Sequence, residues 1–433
     1  AFVVLYPHPV CAAVPWPGET WSAAVDLTGL NPAGWSSNLS GAYWNPVSRR
    51  LWVCLNGPAL FWSLKEDGAG GFLIDQSYTG TGDLEGITQM DTDGGRVLMA
   101  DEQARIVRAY QASDGAAAGT WFLDIIPDWG NSGPEGIAFI PDEWLARSLF
   151  VDGSGNLYPQ SVHGAAGFGG ILLVAVQYNG WVYAVDLKND GTYTFVGRYL
   201  TSRTESCEVT FDASTGRLYI LHNIDGNFIE ITDLMSVVSG VDRKFVTIEE
   251  VQVPSGSNIE GFALTPALTP SRTVGDHWCF FTDDSNVGGA LRWFSQLFPA
   301  LTMASGDGQT ASAGSALAVP PSVYARDAFG NPLSDFEVTF AVVSGGGSVT
   351  DLDRSTGANG LASVDAWVLG PVPSENLLTA SGAGLNGSPQ VFTATATAPM
   401  PAATVPGGMA LAALLLLAGV CTIKKRKTRS ERL

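Results

Sequence analysis

The sequence predicts an all-β chain of 433 residues: a five-bladed β-propeller, then a β-sandwich, then one C-terminal transmembrane helix. Three observations predict it. A short x-Glu-Gly motif returns along the first two thirds of the chain, each return is followed by the same succession of strands and turns, and composition changes twice after Gln296.

The motif stands at Leu84-Glu85-Gly86, Pro134-Glu135-Gly136, Cys207-Glu208-Val209 and Ile259-Glu260-Gly261, with a degenerate first copy at Leu39-Ser40-Gly41. The position after the Glu falls at 41, 86, 136, 209 and 261, so the spacings are 45, 50, 73 and 52 residues. Each copy opens an apolar strand, and two further strands follow across turns, as in GRLYILHNIDGNFIEITDL after Glu208 and ILLVAVQYNGWVYAVDL after Glu135. A period near 40 to 50 residues built from alternating strands is the signature of propeller blades. An insertion from about Ala146 to Gly170 accounts for the one long spacing.

Taken in order, residues 1–16 are a signal-peptide remnant or an N-terminal arm, and the sequence leaves both open. Residues 17–297 form the propeller. Its early segment TWSAAVDLTGL resembles the stretches that precede the other copies, so residues Thr20 to Leu30 are expected to pair with the strand at Leu291 to Phe294 and close the ring. Closure removes an exposed edge. Residues 298–397 are rich in Ala, Ser, Thr, Gly and Val and alternate in runs such as FEVTFAVV and QVFTATATA, which predicts a small sandwich that is stable on its own. A linker occupies 398–406. Residues 407–423 are 17 apolar residues, enough for a helix across a thin hydrocarbon core of about 27 Å. A basic tail, 424–433, follows and is expected in the cytoplasm.

Charge excludes one large class of partners. The net charge is −19, and six of the 23 basic residues lie after Ile423 with only one of the 42 acidic ones, so the body carries 17 basic against 41 acidic residues. Such a body repels nucleic acid. Cys54, Cys207 and Cys279 fall within strands and read as buried thiols, and no zinc spacing, GxSxG elbow, HExxH, P-loop or dinucleotide fingerprint is present.

In a propeller the first strand of each blade lies innermost, which puts each motif Glu near the mouth of the central channel. The turn between the second and third strands opens on the same face and carries Asn56, Asp101 and Glu102, Gln177, His222 and Asn223, then Asp283 and Asp284. Carboxylates gathered at a narrow channel must be protonated, paired or bridged by a hard cation. Glu85, Glu135, Glu208 and Glu260, helped by Asp101 or Asp283, are therefore the candidate ligands of Ca²⁺, with Mg²⁺ as the alternative. A second role stays open: each Glu accepts hydrogen bonds from backbone N–H groups of the neighbouring blade and locks the ring. His222 reads as a solvated turn residue.

The LEGI and PEGIA repeats resemble the SdiA-regulated and esterase-like phytase group of secreted β-propellers over roughly residues 20 to 296. That resemblance implies acidic metal-holding residues and, in the phytase branch, phosphomonoesterase activity. Asp327-Ala328-Phe329-Gly330-Asn331-Pro332-Leu333 followed by Val338-Thr339-Phe340 and Thr356-Gly357-Ala358-Asn359-Gly360 resembles the bacterial Ig-like (Big-1) repeats of invasin and intimin, which implies a stalk. The linker, apolar helix and basic end resemble PEP-CTERM and IPTL-CTERM sorting tails, beside the plainer reading of a tail anchor. Two functions follow as expectations. One is a surface-displayed binding or adhesion protein whose acidic face takes an extracellular glycan, peptide or envelope component, with the membrane reached through the C-terminal helix. The other is a secreted metal-dependent phosphoesterase. A phosphate site wants Arg or Lys among its carboxylates. Arg105 and Arg203 alone stand near the equivalent turns, which favours binding.

Overall fold

Inner strands of this chain are buried along most of their length, whereas outer strands are partly exposed. Gly170–Val176, a second strand, is buried at every position, while the outer strands Phe72–Thr79 and Ala117–Phe122 each leave several side chains exposed to solvent. That gradient is what strands acquire when four-stranded sheets stand side by side around an axis. The computed structural model describes residues 13–90, 95–158, 167–254, 258–269 and 271–398. The expected transmembrane helix at 407–423, the linker from residue 399 and the basic tail lie outside these residues. No helix among the described residues is long and apolar enough to cross a membrane.

The fold is all-β and β-propeller-like. One antiparallel sheet runs Leu39–Asn45, Arg50–Leu55, Leu60–Glu66, Phe72–Thr79, and a second runs Leu84–Thr88, Arg96–Asp101, Ile106–Gln111, Ala117–Phe122. An eight-stranded sheet joins two such quartets, beginning at Pro134–Pro141 and at Glu208–Asp212. The joint is a short parallel contact, Tyr199 with Arg243 and Leu200 with Lys244, between their outermost strands. The last quartet consists of Ile259–Leu264, Cys279–Asp283, Leu291–Phe294 and, on its outer edge, Val25–Asp26. Val25 lies opposite Trp293 and Asp26 opposite Arg292, the closing contact anticipated for the early segment. Trp44 stacks on Phe280 at 5.9 Å and Phe72 meets Trp293 edge-on at 5.0 Å, so an aromatic core seals the first quartet to the last.

The strands that start with the motif touch one another in cyclic order around a central cavity of about 90 Å³. Glycine makes this approach close. A Cβ on Gly86 would stand 2.2 Å from the Glu135 carbonyl oxygen, one on Gly136 2.3 Å from the Glu208 Cα, and one on Gly261 2.3 Å from the Ser40 carbonyl oxygen. At Leu39/Ala42, Leu84/Ile87, Pro134/Ile137 and Ile259/Gly261 the pairing register also slips, which is a bulge at the motif itself. Where Val209 replaces the glycine, pairing is regular through Glu208 and Val209. Bulges re-aim the side chain they carry.

After Leu297 three further sheets enclose a second core that includes Val323, Val338, Phe340, Trp367, Leu378 and Phe392. This part is docked on the propeller-like part. The Asp327 carboxylate accepts from the backbone N–H of Phe329 and Asn331 at 2.9 and 2.8 Å and so shapes a tight loop. Phe329 enters the propeller core against Tyr219, Trp16 and His277, and Asn331 donates to the Tyr219 hydroxyl at 3.0 Å. Ala267 and Leu268 reach the other way, into the second core. Residues 298–397, expected to fold on their own, thus share packing with the propeller-like part. Residues 13–16 also belong to the fold, since Val14 donates to the Glu250 carbonyl at 2.8 Å and Trp16 packs on Phe281 and Phe294.

Candidate functional site: an acidic channel mouth

The bulged starts of the inner strands and the turns that end the second strands meet at one mouth of the channel. Glu85, Glu135, Glu208 and Glu260 are all buried there, together with Glu102. Asp83, Glu85 and Glu102 each offer an oxygen such that these atoms lie within 4.8 Å of one another. Glu102 accepts from the Gly133 N–H at 3.0 Å through Oε1, and its carboxyl shares a further hydrogen bond with the buried Glu135 carboxyl. Ser40 Oγ donates to Glu85 Oε2 at 2.6 Å, so the degenerate first copy supplies a donor where the others supply an acid. Asn258 Nδ2 donates to Glu260 Oε1 at 2.7 Å.

Burial dominates the electrostatics of this mouth. It pushes Glu85 up to about 8, with further upward pressure from Glu102 and Asp83. It pushes Glu260 to about 9, helped by Asp284 and Glu85. Glu135 is held well above the usual carboxylate range by burial and then by Glu85 and Glu102. Glu102, Asp83 and Asp284 are raised for the same first reason. Carboxylates in this state take up either protons or a cation.

Burial raises Glu208 as well, but its carboxyl is held differently, and its strand explains why. Without a bulge, its carboxylate turns to backbone amides: the Val209 N–H at 2.9 Å, the Ala42 N–H at 3.4 Å across the channel, and the Ile137 N–H. This is the ring-locking role, at one copy of the motif. Asp101 serves its own turn, accepting from the Asp83 and Ala104 N–H groups at 3.2 Å and pairing with Arg108 Nε at 2.7 Å. Asp283 caps its turn through Ser285, whose N–H and hydroxyl lie at 3.0 and 2.6 Å. The close triad thus takes Glu85 from the expected residues and adds Asp83 and Glu102.

His222 is fully buried rather than solvated. Nδ1 lies 2.5 Å from the Glu205 carbonyl and Nε2 3.4 Å from Glu230, which itself receives the Ser202 N–H at 2.7 Å. Neither arginine near the mouth is directed at the triad. Arg105 donates to the Ile126 carbonyl at 2.9 Å and lies over Phe122, while Arg203 pairs with Glu250 at 3.2 Å and lies over Phe228.

Residues 20–151 match the family model described as SdiA-regulated. The match spans the first two quartets and enters the third, less than half of the chain. No curated protein matches. Among solved structures, glutaminyl cyclase of Myxococcus xanthus is similar at TM-score 0.36 and 11% identity, over 60% of this chain and 90% of that one. A chain of a nidogen/laminin complex gives 0.33 and 15%, over 57% and 73%, and hydrazine synthase of Kuenenia stuttgartiensis gives 0.32 and 12%, over 67% and 77%. Scores at this level carry nothing about activity.

Proposed function

We propose that this chain is an extracellular binding protein in which a five-bladed β-propeller holds a divalent cation, Ca²⁺ before Mg²⁺, at its acidic mouth. The observation that carries the reading is the triad Asp83, Glu85 and Glu102, whose ligand atoms lie within 4.8 Å of one another, with Glu102 also hydrogen-bonded to the Glu135 carboxyl. Oxygen-only donors of this kind suit a hard cation, and an ion there neutralises charge that burial otherwise leaves protonated. Glu135 and Glu260 stand next in the same electrostatic network. In this reading residues 298–397 are a bacterial Ig-like domain docked on the propeller as a rigid pedestal, and the apolar segment 407–423 with its basic tail presents the assembly at the cell surface.

Binding is favoured over phosphoester hydrolysis because Arg105 and Arg203, the cations nearest the mouth in sequence, are held by Ile126 and Phe122 and by Glu250 and Phe228. A bound ion stabilises the fold by mass action, by about 2.7 kcal/mol at a hundredfold excess over Kd. Melting of the purified chain with Ca²⁺ and with chelator tests the proposal: the midpoint should rise with Ca²⁺ and fall with chelator, and a midpoint indifferent to both refutes it.

A further inference from the structure

Beside the acidic mouth stands an aromatic pair in which Trp129 packs on the propeller core while Tyr178 lies mostly in solvent. Trp129 and Tyr178 stack at 4.5 Å with their planes only 10° apart. Tyr178 nevertheless remains 61% exposed, so the ring face turned away from Trp129 meets solvent. The pair is fastened to the triad through backbone. Tyr178 N–H donates to the Ser132 carbonyl at 3.0 Å, Gln177 N–H to the Gly133 carbonyl at 3.1 Å, and Gly133 N–H to Glu102 Oε1 at 3.0 Å. A flat, open aromatic face is thereby held at a fixed offset from the oxygens that would carry the ion.

We infer that this face is the sugar-stacking platform of a carbohydrate site, with the acidic mouth taking the hydroxyls of a neutral pyranose whose C–H face lies on Tyr178. This rests on the cation reading above. Three features of the pair and its surroundings select the ligand. Stacking leaves one ring face free, which suits the flat side of a pyranose, whereas an ammonium group is held by several rings that converge around it. The hydroxyl rim of the sugar finds an acceptor in Asp83, the part-exposed member of the triad, or an ion that exchanges water for vicinal hydroxyls. A chain of net charge −19 whose mouth is acidic selects against anionic polymers.

Affinity electrophoresis of the full chain in a polyoxyethylene detergent tests the inference, with laminarin, a yeast mannan or polygalacturonate cast in the gel and Ca²⁺ in the buffer. At least one of the two neutral polymers should retard the wild type, and Tyr178→Ala should weaken apparent affinity about tenfold, as expected for loss of a stacked ring. The calcium-dependent rise in melting temperature should persist in that variant. Failure of both neutral polymers to retard the wild type, equal retardation of Tyr178→Ala, or retardation by polygalacturonate alone overturns the inference. A calcium shift without retardation leaves the cation reading standing and refutes the sugar. Retardation that Tyr178→Ala weakens, without a calcium shift, refutes the cation and leaves the platform.

Discussion

Gly86→Ala places one methyl group at the tightest seam of the ring. The added Cβ would lie 2.2 Å from the Glu135 carbonyl oxygen and 2.8 Å from both the Gly136 Cα and the Ile137 nitrogen. All three are backbone atoms of the adjacent inner strand, so no side chain can swing away, and relief requires that two quartets move apart. Overpacking of a rigid interior costs about 1–3 kcal/mol, and a purely backbone clash belongs at the upper end. For a unit of this size ~3 kcal/mol lowers the melting temperature by roughly 4–5 °C. Gly29→Ala is the control, because its Cβ would meet nothing within 4 Å. Differential scanning calorimetry of both variants beside the wild type provides the measurement. A Gly86→Ala midpoint within about 1 °C of the control would refute the claim that the motif glycines exist for strand approach.

Glu208→Ala should destabilise by about 2–4 kcal/mol, since it strands buried amides of Ala42 and Val209, yet leave the calcium response intact. Chemical denaturation with and without Ca²⁺ separates the two effects. Phe329→Ala should cost about 3–5 kcal/mol by emptying the pocket among Trp16, Tyr219 and His277, and it should lower the unfolding of both parts together in calorimetry. The pH dependence has a defined sign. In the cation-free fold Glu85 and Glu260 titrate near 8 and 9 against an ordinary 4.5, so the folded state holds protons that the unfolded chain has released. Stability from these groups is therefore greatest below about pH 4.5, falls as pH rises to about 9 and is level beyond. Urea midpoints measured from pH 5 to 9 in chelator should decline, and saturating Ca²⁺ should flatten the decline.

Much of this architecture was legible in the sequence because it rests on backbone constraints that repeat. The x-Glu-Gly spacing located the starts of the inner strands, and TWSAAVDLTGL announced its pairing with Leu291–Phe294 because every other quartet has a similar outer stretch. Val209 takes the glycine's place at the motif strand whose pairing is regular, and Glu208 is the motif Glu that turns to backbone amides. The site was legible less well. Asp101 and Glu102 are adjacent at a strand end, and only the turn geometry decides that Asp101 binds Arg108 and its own turn while Glu102 faces the mouth. Asp83 carried a usable signal, since the residue two before each Glu is Asp83, Gly133, Ser206 or Asn258, with Asn38 in the first copy, all small or polar. The docking of residues 298–397 was hidden because Asp327, Phe329 and Asn331 read only as part of the Ig-like motif until their partners Trp16 and Tyr219, distant in sequence, are known.

Isothermal titration of Ca²⁺ into the chelator-stripped full chain at neutral pH measures the central claim most directly, with the double variant Glu85→Gln and Glu102→Gln in parallel. The wild type should show saturable binding with release of protons from the raised carboxyls, and the folded double variant should show none. Absence of saturable heat in a folded wild type, or equal binding by the double variant, would contradict a cation at the acidic mouth.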